Sequence, residues 1–151
     1  MTPPDSRYQD RVRESFSRQA HMTSLGVTIE RIAPGEVDLR LPFSQHFTQQ
    51  NGYLHAGAIA SVADSANGYA AFTLAPPDAD VLAVEFKINL LAPAQGPAFL
   101  AKGRVLRSGR TLTVCVADVT SADEAEPTLV ATMLSTIIVR RLPDARGPGR
   151  P

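Results

Sequence analysis

Asp64 is the only fully charged residue between His55 and Leu74, in a run made of alanine, glycine, aliphatics and a few polar or aromatic side chains. The run is built for burial, and a buried ionised carboxylate without partners costs several kcal/mol. No cationic residue lies within two helical turns of Asp64, so a local ion pair is excluded. Two readings remain. Asp64 caps a group or pairs with a distant arginine, or it works in a cleft where burial raises its pKa toward working pH, as general base or nucleophile. The start of the same run offers the complementary chemistry. The first amides of a helix, here those of Ala56 and Gly57, have no intrahelical partner and carry partial positive charge. Donors of that kind stabilise an oxyanion.

His55 and Asp64 are nine residues apart. On a helix that is about 900° of rotation and about 13 Å of rise, so the two side chains point to opposite sides and cannot form a pair within one chain. His55 either fixes the loop and helix start by bonding to backbone or takes a direct part in carbonyl binding. Arg107-Ser108-Gly109-Arg110, running into Thr111, reads as a tight hairpin whose arginines and turn amides suit phosphate, or as an ordinary solvated turn. Cys115 alternates within a strand pattern and reads as buried packing.

The elements that must position these groups follow from pattern. Tyr8, Val12 and Phe16 recur at i, i+4, i+8 and predict a helix from Arg7 to near Met22. Two alternating runs, 27–32 and 36–41, flank Pro34-Gly35 and predict a hairpin, followed by a loop over 42–52. The small-residue helix comes next and is closed by Pro76-Pro77. Four strands are expected after it, over 81–92, 98–107, 111–121 and 128–140. In the first of these Leu82, Val84, Phe86, Ile88 and Leu90 are expected on one face. Without βαβ alternation a doubly wound sheet is excluded, and one antiparallel sheet wrapped around one central helix satisfies the pattern. Close backbone contact with the sheet accounts for the alanine and glycine of that helix.

The chain has 151 residues with Lys plus Arg 15 against Asp plus Glu 15, which suits one domain and gives no reason to expect nucleic acid or a membrane surface as partner. One cysteine excludes an intrachain disulfide. His55, Ser61, Asp64, Ser65, Asn67 and Thr73 argue against 55–75 as a membrane span. No cluster has metal-ligand spacing. The polar, proline-bearing first residues do not look like a signal peptide, and a cytoplasmic protein is expected. The expected division is an N-terminal segment and helix over 1–22, the main domain over 23–140 and a disordered Pro-Gly-Arg tail over 141–151.

This α+β layout resembles the hotdog fold. Leu54-His55-Ala56-Gly57 followed by Val62-Ala63-Asp64-Ser65-Ala66 resembles the signature of phenylacetate-pathway (PaaI-type) acyl-CoA thioesterases. The segment Phe16-x-Arg18-Gln19-x-x-Met22-x-x-Leu25-Gly26 resembles the beginning of the same family. Lys87 to Pro93 and Arg107 to Leu112 resemble its later strands, so that the likeness covers roughly residues 16 to 139. The resemblance implies an acyl-CoA thioesterase, with no cofactor beyond the coenzyme A of its substrate. It implies Asp64 as the catalytic carboxylate and the amides of Ala56 and Gly57 as donors to the thioester carbonyl. An Asn side chain of the family, six residues before the His, is Gln49 here, with Asn51 close by as a substrate contact. It implies coenzyme A phosphates at Arg107, Ser108, Gly109, Arg110 and Thr111. A Ser that helps hold the attacking water in part of the family is Ala83 here, so Ser65 or Asn67 would have to replace it.

Since Asp64 and the helix start cannot meet within one helix, the implied site is composite. A homodimer with antiparallel helices supplies Asp64 from one subunit and the helix start from the other, with a dimer of dimers as the expected assembly. The substrate expected is a small aryl- or medium-chain acyl-CoA. The alternatives are a catalytically weak acyl-CoA-binding or regulatory domain and a hotdog hydratase or dehydratase. Dehydratases of this fold carry His-Phe-Pro and a helical Glu, whereas here Thr48 follows His46-Phe47 and the helix has no Glu.

Overall fold

The computed structural model describes residues 1–123 and 125–141. Its axis is a 17-residue helix, Ala56–Phe72. In chain order the elements are α1 (Tyr8–Ser17), α2 (Ala20–Leu25), β1 (Thr28–Ala33), β2 (Glu36–Pro42), a 3-10 turn (Gln45–Phe47), α3 (Ala56–Phe72), β3 (Ala79–Leu90), β4 (Ala98–Ser108), β5 (Leu112–Ala122) and β6 (Leu129–Arg141). The six strands form one antiparallel sheet in the order β1-β2-β4-β5-β6-β3, curved around α3. This is the expected sheet around one helix.

α3 can lie in the sheet because its side chains are small. A Cβ on Gly103 of β4 would meet the carbonyl carbon and oxygen of Ala66 at 2.4 Å, closer than real Cβ contacts come. That glycine lets strand and helix backbones touch. Val62, Ala63 and Ala66 are fully buried against Leu39, Phe99, Ala101 and Ala117 of the sheet, and Ala70 against Val105, Cys115 and Ile137. The helix ends are tied down. His55 caps the N-terminus, its Nδ1 accepting from the Gly57 N–H at 2.8 Å. At the other end the Thr73 hydroxyl donates to Ala70 and accepts from the Gly35 N–H at 2.7 Å, which pins the helix to the β1–β2 turn. Gly35 has φ 78°, a conformation that glycine takes without strain.

The N-terminal region differs from the single helix expected. It breaks at Arg18-Gln19, where the Arg18 and Gln19 N–H groups close the end of α1 on Ser15 and Phe16. The break allows Val12 of α1 and Met22 and Leu25 of α2 all to reach the core. Arg11 holds α1 against the far end of α3. Its guanidinium donates to the carbonyls of Ala75, Pro76 and Ala79, pairs with Asp5 and lies 4.5 Å over the Phe72 ring. The α1–α2 junction is thereby set over the middle of α3.

Register corrects the face assigned to β3. Ala83 pairs with Ile137 but Glu85 pairs with Thr136, so Val84 is an extra residue in a bulge. Ala83, Phe86 and Ile88 share the helix side with Ile137, Ser135 and Met133, whereas Leu82 lies across from the outward Ile138. At the C-terminal end Arg141 is still in β6 and pairs with Asp78 at 2.8 Å, so the strand runs one residue into the expected tail. The rest of that expected tail, 142–151, lies outside the described residues. No helix among the described residues is long and apolar enough to cross a membrane.

Candidate active site

Asp64 lines a cleft of about 450 Å³ between α3, the α1–α2 junction and the start of β3. The helix contributes Asp64, Ser65, Gly68, Tyr69 and Phe72, the face that recurs every three to four residues. Arg18 and Gln19 come from the junction and Leu82 and Ala83 from β3. Asp64 is half-buried, and its Oδ1 is buried with no hydrogen-bond partner. Burial alone pushes its carboxyl above the ordinary carboxylate value. No ion pair reaches it among the described residues, although Arg18 lines the same cleft. The group therefore holds a proton more strongly than a solvated Asp does.

Around Asp64 the polar groups are specific. The Ser65 hydroxyl donates to the Gln19 Oε1 at 3.2 Å. Asn67 turns away, its Nδ2 donating to Ser135 at 2.7 Å inside the core. Ala83 lines the cleft and its side chain has no polar atom to offer. Tyr69 and Phe72 form an edge-to-face series with Phe16, and the Tyr69 hydroxyl is 3.4 Å from that of Ser15. Phe86 is not among the residues lining the cleft and is 46% exposed.

The helix start opens on different cavities. Gln49 and Ala56 line a cleft of about 410 Å³ with Tyr53, Ile59, Leu90 and Leu91. Gln49 is fixed by a turn in which its N–H donates to Tyr53, its carbonyl accepts from Gly52 and its Oε1 accepts from the Asn51 N–H. That leaves the two Nε2 protons as its free donors. The Ala56 N–H has no partner among the described residues. The Gly57 N–H is taken by His55, so of the two amides singled out in the sequence only that of Ala56 is free and beside Gln49. His55 and Gly57 face a third cavity of about 310 Å³ with His21, His46, Phe47 and Ser61. Asn51 is exposed in its turn and is not among the residues lining the Gln49 cleft.

Eight residues of helix separate Ala56 from Asp64, about 12 Å of rise, and the two belong to different clefts. Besides α3 itself, β3 borders both. The start of β3 (Val81, Leu82, Ala83) edges the Asp64 cleft, and its end (Leu90, with Leu91) edges the Gln49–Ala56 cleft. The hairpin Arg107 to Thr111 borders neither. It is exposed, shaped by the Gly109 N–H donating to Leu112 at 2.9 Å and the Thr111 carbonyl accepting from Val139 at 2.8 Å. Arg107 and Arg110 have no acidic partner among the described residues. Cys115 is fully buried, which pushes its thiol up to about 12. Sequence reasoning gave Gln19 no role. The signal available was its place in the segment Phe16 to Gly26, but only the chain reversal at Arg18-Gln19 brings it to Asp64.

Comparison with known proteins agrees with this fold. The sequence model described as Thioesterase superfamily matches residues 51–128, which include the helix start, Asp64 and the next three strands. A thioesterase family protein from Silicibacter pomeroyi is 45% identical, with a TM-score of 0.87 over 89% of this chain and 98% of that one. A candidate esterase from Halobacterium salinarum is 35% identical over 73% of this chain and 78% of its own. The PaaI protein from the phenylacetic acid degradation operon of E. coli shares the fold, with a TM-score of 0.81 at 17% identity over 93% of this chain and 96% of that one. A six-stranded antiparallel sheet around one helix, a half-buried acid on that helix and these relatives together make the chain a member of the thioesterase superfamily, a hydrolase of the hotdog fold.

Proposed function

We propose that the protein hydrolyses the thioester of a small aryl- or medium-chain acyl-CoA at a site shared between two subunits. The observation that carries the reading is the placing of base and oxyanion donors in separate clefts, at opposite ends of the edge strand β3. β3 has a neighbour on one side only and exposes Leu82, Val84, Phe86 and Leu90. Such an edge pairs readily with a second strand. Antiparallel pairing of β3 with its own copy across a two-fold axis puts the start of one strand beside the end of the other. Each Asp64 cleft then meets the partner's Gln49–Ala56 cleft. A second apolar surface, Leu112, Val116, Leu134 and Ile138 on the outer face of the sheet, supports a dimer of dimers.

In the composite site the thioester oxygen accepts from the Ala56 N–H and Gln49 Nε2. Asp64 of the other subunit takes a proton from water, and the water oxygen bonds to the carbonyl carbon. The carbonyl pair moves onto the oxyanion. When it returns, the C–S bond breaks and the thiolate leaves with the proton that Asp64 held. The products are a carboxylic acid and free coenzyme A. No metal or redox cofactor enters these steps. Tyr69 and Phe72 offer the acyl group an aromatic wall, and the unpaired Arg107 and Arg110 suit the coenzyme A phosphates. A substrate of this kind is in keeping with a cytoplasmic protein.

The test is release of free thiol from a panel of acyl-CoAs. Turnover of aryl and medium-chain members above short-chain ones is expected. Tight binding of acyl-CoA without thiol release would replace hydrolysis by a binding function.

A further inference from the structure

We infer that Gln19 holds the attacking water and that Ser65 is the positioning residue that fixes it. The inference rests on Asp64 acting as the base in the reading above.

A nucleophilic water needs its two protons occupied and a lone pair left toward the carbonyl. Asp64 takes one proton. The second needs an acceptor in the same cleft, and the residues there differ in what they offer. Ala83 offers none, Asn67 is turned into the core, and Arg18 has only donors. Ser15 and Tyr69 face each other at 3.4 Å, and of the cleft's acceptors the Gln19 carboxamide is the one tied to the residue beside Asp64. It lines the Asp64 cleft, and its Oε1 already receives the hydroxyl proton of Ser65, the residue after Asp64, at 3.2 Å. A carboxamide oxygen has two lone pairs, so Oε1 retains one for the water. In the structure it is the oxygen end of the amide that meets the Ser65 hydroxyl. An amide reversed would present N–H groups and draw on the lone pair the water needs for attack.

The backbone makes this placement rigid. Gln19 sits where α1 ends and α2 begins, its N–H donating to Phe16 and its carbonyl accepting from Thr23. The buried, unpartnered Oδ1 of Asp64 shows that the chain alone does not satisfy the carboxylate, and a water bridged between Asp64 and Gln19 has the polar partners it needs.

Three variants test this, each measured as kcat and KM and checked for folding by circular dichroism. Gln19→Met removes the acceptor at similar volume and is expected to lower kcat about 10- to 100-fold, the cost of a misplaced reactant, with KM within about twofold of wild type. Gln19→Glu restores acceptor oxygens and should recover most of the loss at high pH. Its new negative charge should also move the acid limb of the kcat profile upward by raising the pKa of Asp64, among the cleft's other charged or titratable groups Arg18, Asp80 and Tyr69. A purely structural Gln19 gives no such displacement. Asp64→Asn is run beside them. If it keeps its activity, the reading beneath the inference fails. If it is inactive while Gln19→Met keeps kcat within twofold, or Gln19→Glu recovers nothing, Gln19 holds no water and only the inference is overturned.

Discussion

The role proposed for Asp64 has a thermodynamic signature. Its folded-state pKa is raised by burial, so the folded chain favours the protonated carboxyl. Between the ordinary carboxylate value and that raised value the native state binds more protons than the unfolded state, and stability falls as pH rises through the window. Asp64→Asn removes this cost. It should raise Tm at pH 7, and the gain should vanish below about pH 4, where the wild-type carboxyl is protonated in both states. The same variant should lower kcat by at least about 100-fold. A variant that is more stable and less active is the mark of a functional group held against its preference. Unchanged turnover, or an Asn variant no more stable at neutral pH, would contradict the role given to Asp64. The conflict was legible in the sequence because a lone charge in a small-residue helix is conspicuous. Gln19 was not, because nothing local marks the residue that a chain reversal carries to a cleft.

At the scale of elements, α3 depends on contact with β4 at Gly103. Gly103→Ala should cost about 1–3 kcal/mol or more, since the Cβ meets backbone rather than a side chain that can move. The cost is read as a fall in denaturation midpoint, and a neutral outcome would mean that helix and strand separate freely. The β4–β5 hairpin carries a different expectation. Arg107→Ala and Arg110→Ala should raise KM for acyl-CoA several-fold with kcat nearly unchanged, as loss of binding to a remote phosphate does. The rise should disappear with a short thioester lacking the nucleotide, and equal loss on both substrates would assign the hairpin a structural part. Elements were largely legible because alternation and small-residue runs are strong signals. The break at Arg18-Gln19 was not, having no glycine or proline to announce it. The β3 face was misassigned because the bulge at Val84 shifts the alternation by one, and a bulge is set by pairing with β6 rather than by β3 itself.

For the whole molecule, Asp64 and the Gln49–Ala56 pair lie in separate clefts of one chain, and the proposed site needs a second subunit to join them. Spacing along α3 already required this, since about 12 Å of helix rise lies between Ala56 and Asp64. The structure adds the edge strand that joins the two clefts and removes the Gly57 amide from the donors, because His55 occupies it. The central claim is that base and oxyanion donors come from different subunits. It is tested most directly by mixing two inactive variants, Asp64→Asn and Gln49→Ala, in equal amounts with subunit exchange confirmed by mass. In a mixed dimer one site receives both defects and the other none. Random reassortment makes half the dimers mixed, so about a quarter of all sites are whole, as two-fold symmetry requires. The account predicts recovery of about a quarter of wild-type activity. Activity that stays at the mean of the two parents after exchange would place the whole site within one chain and contradict it.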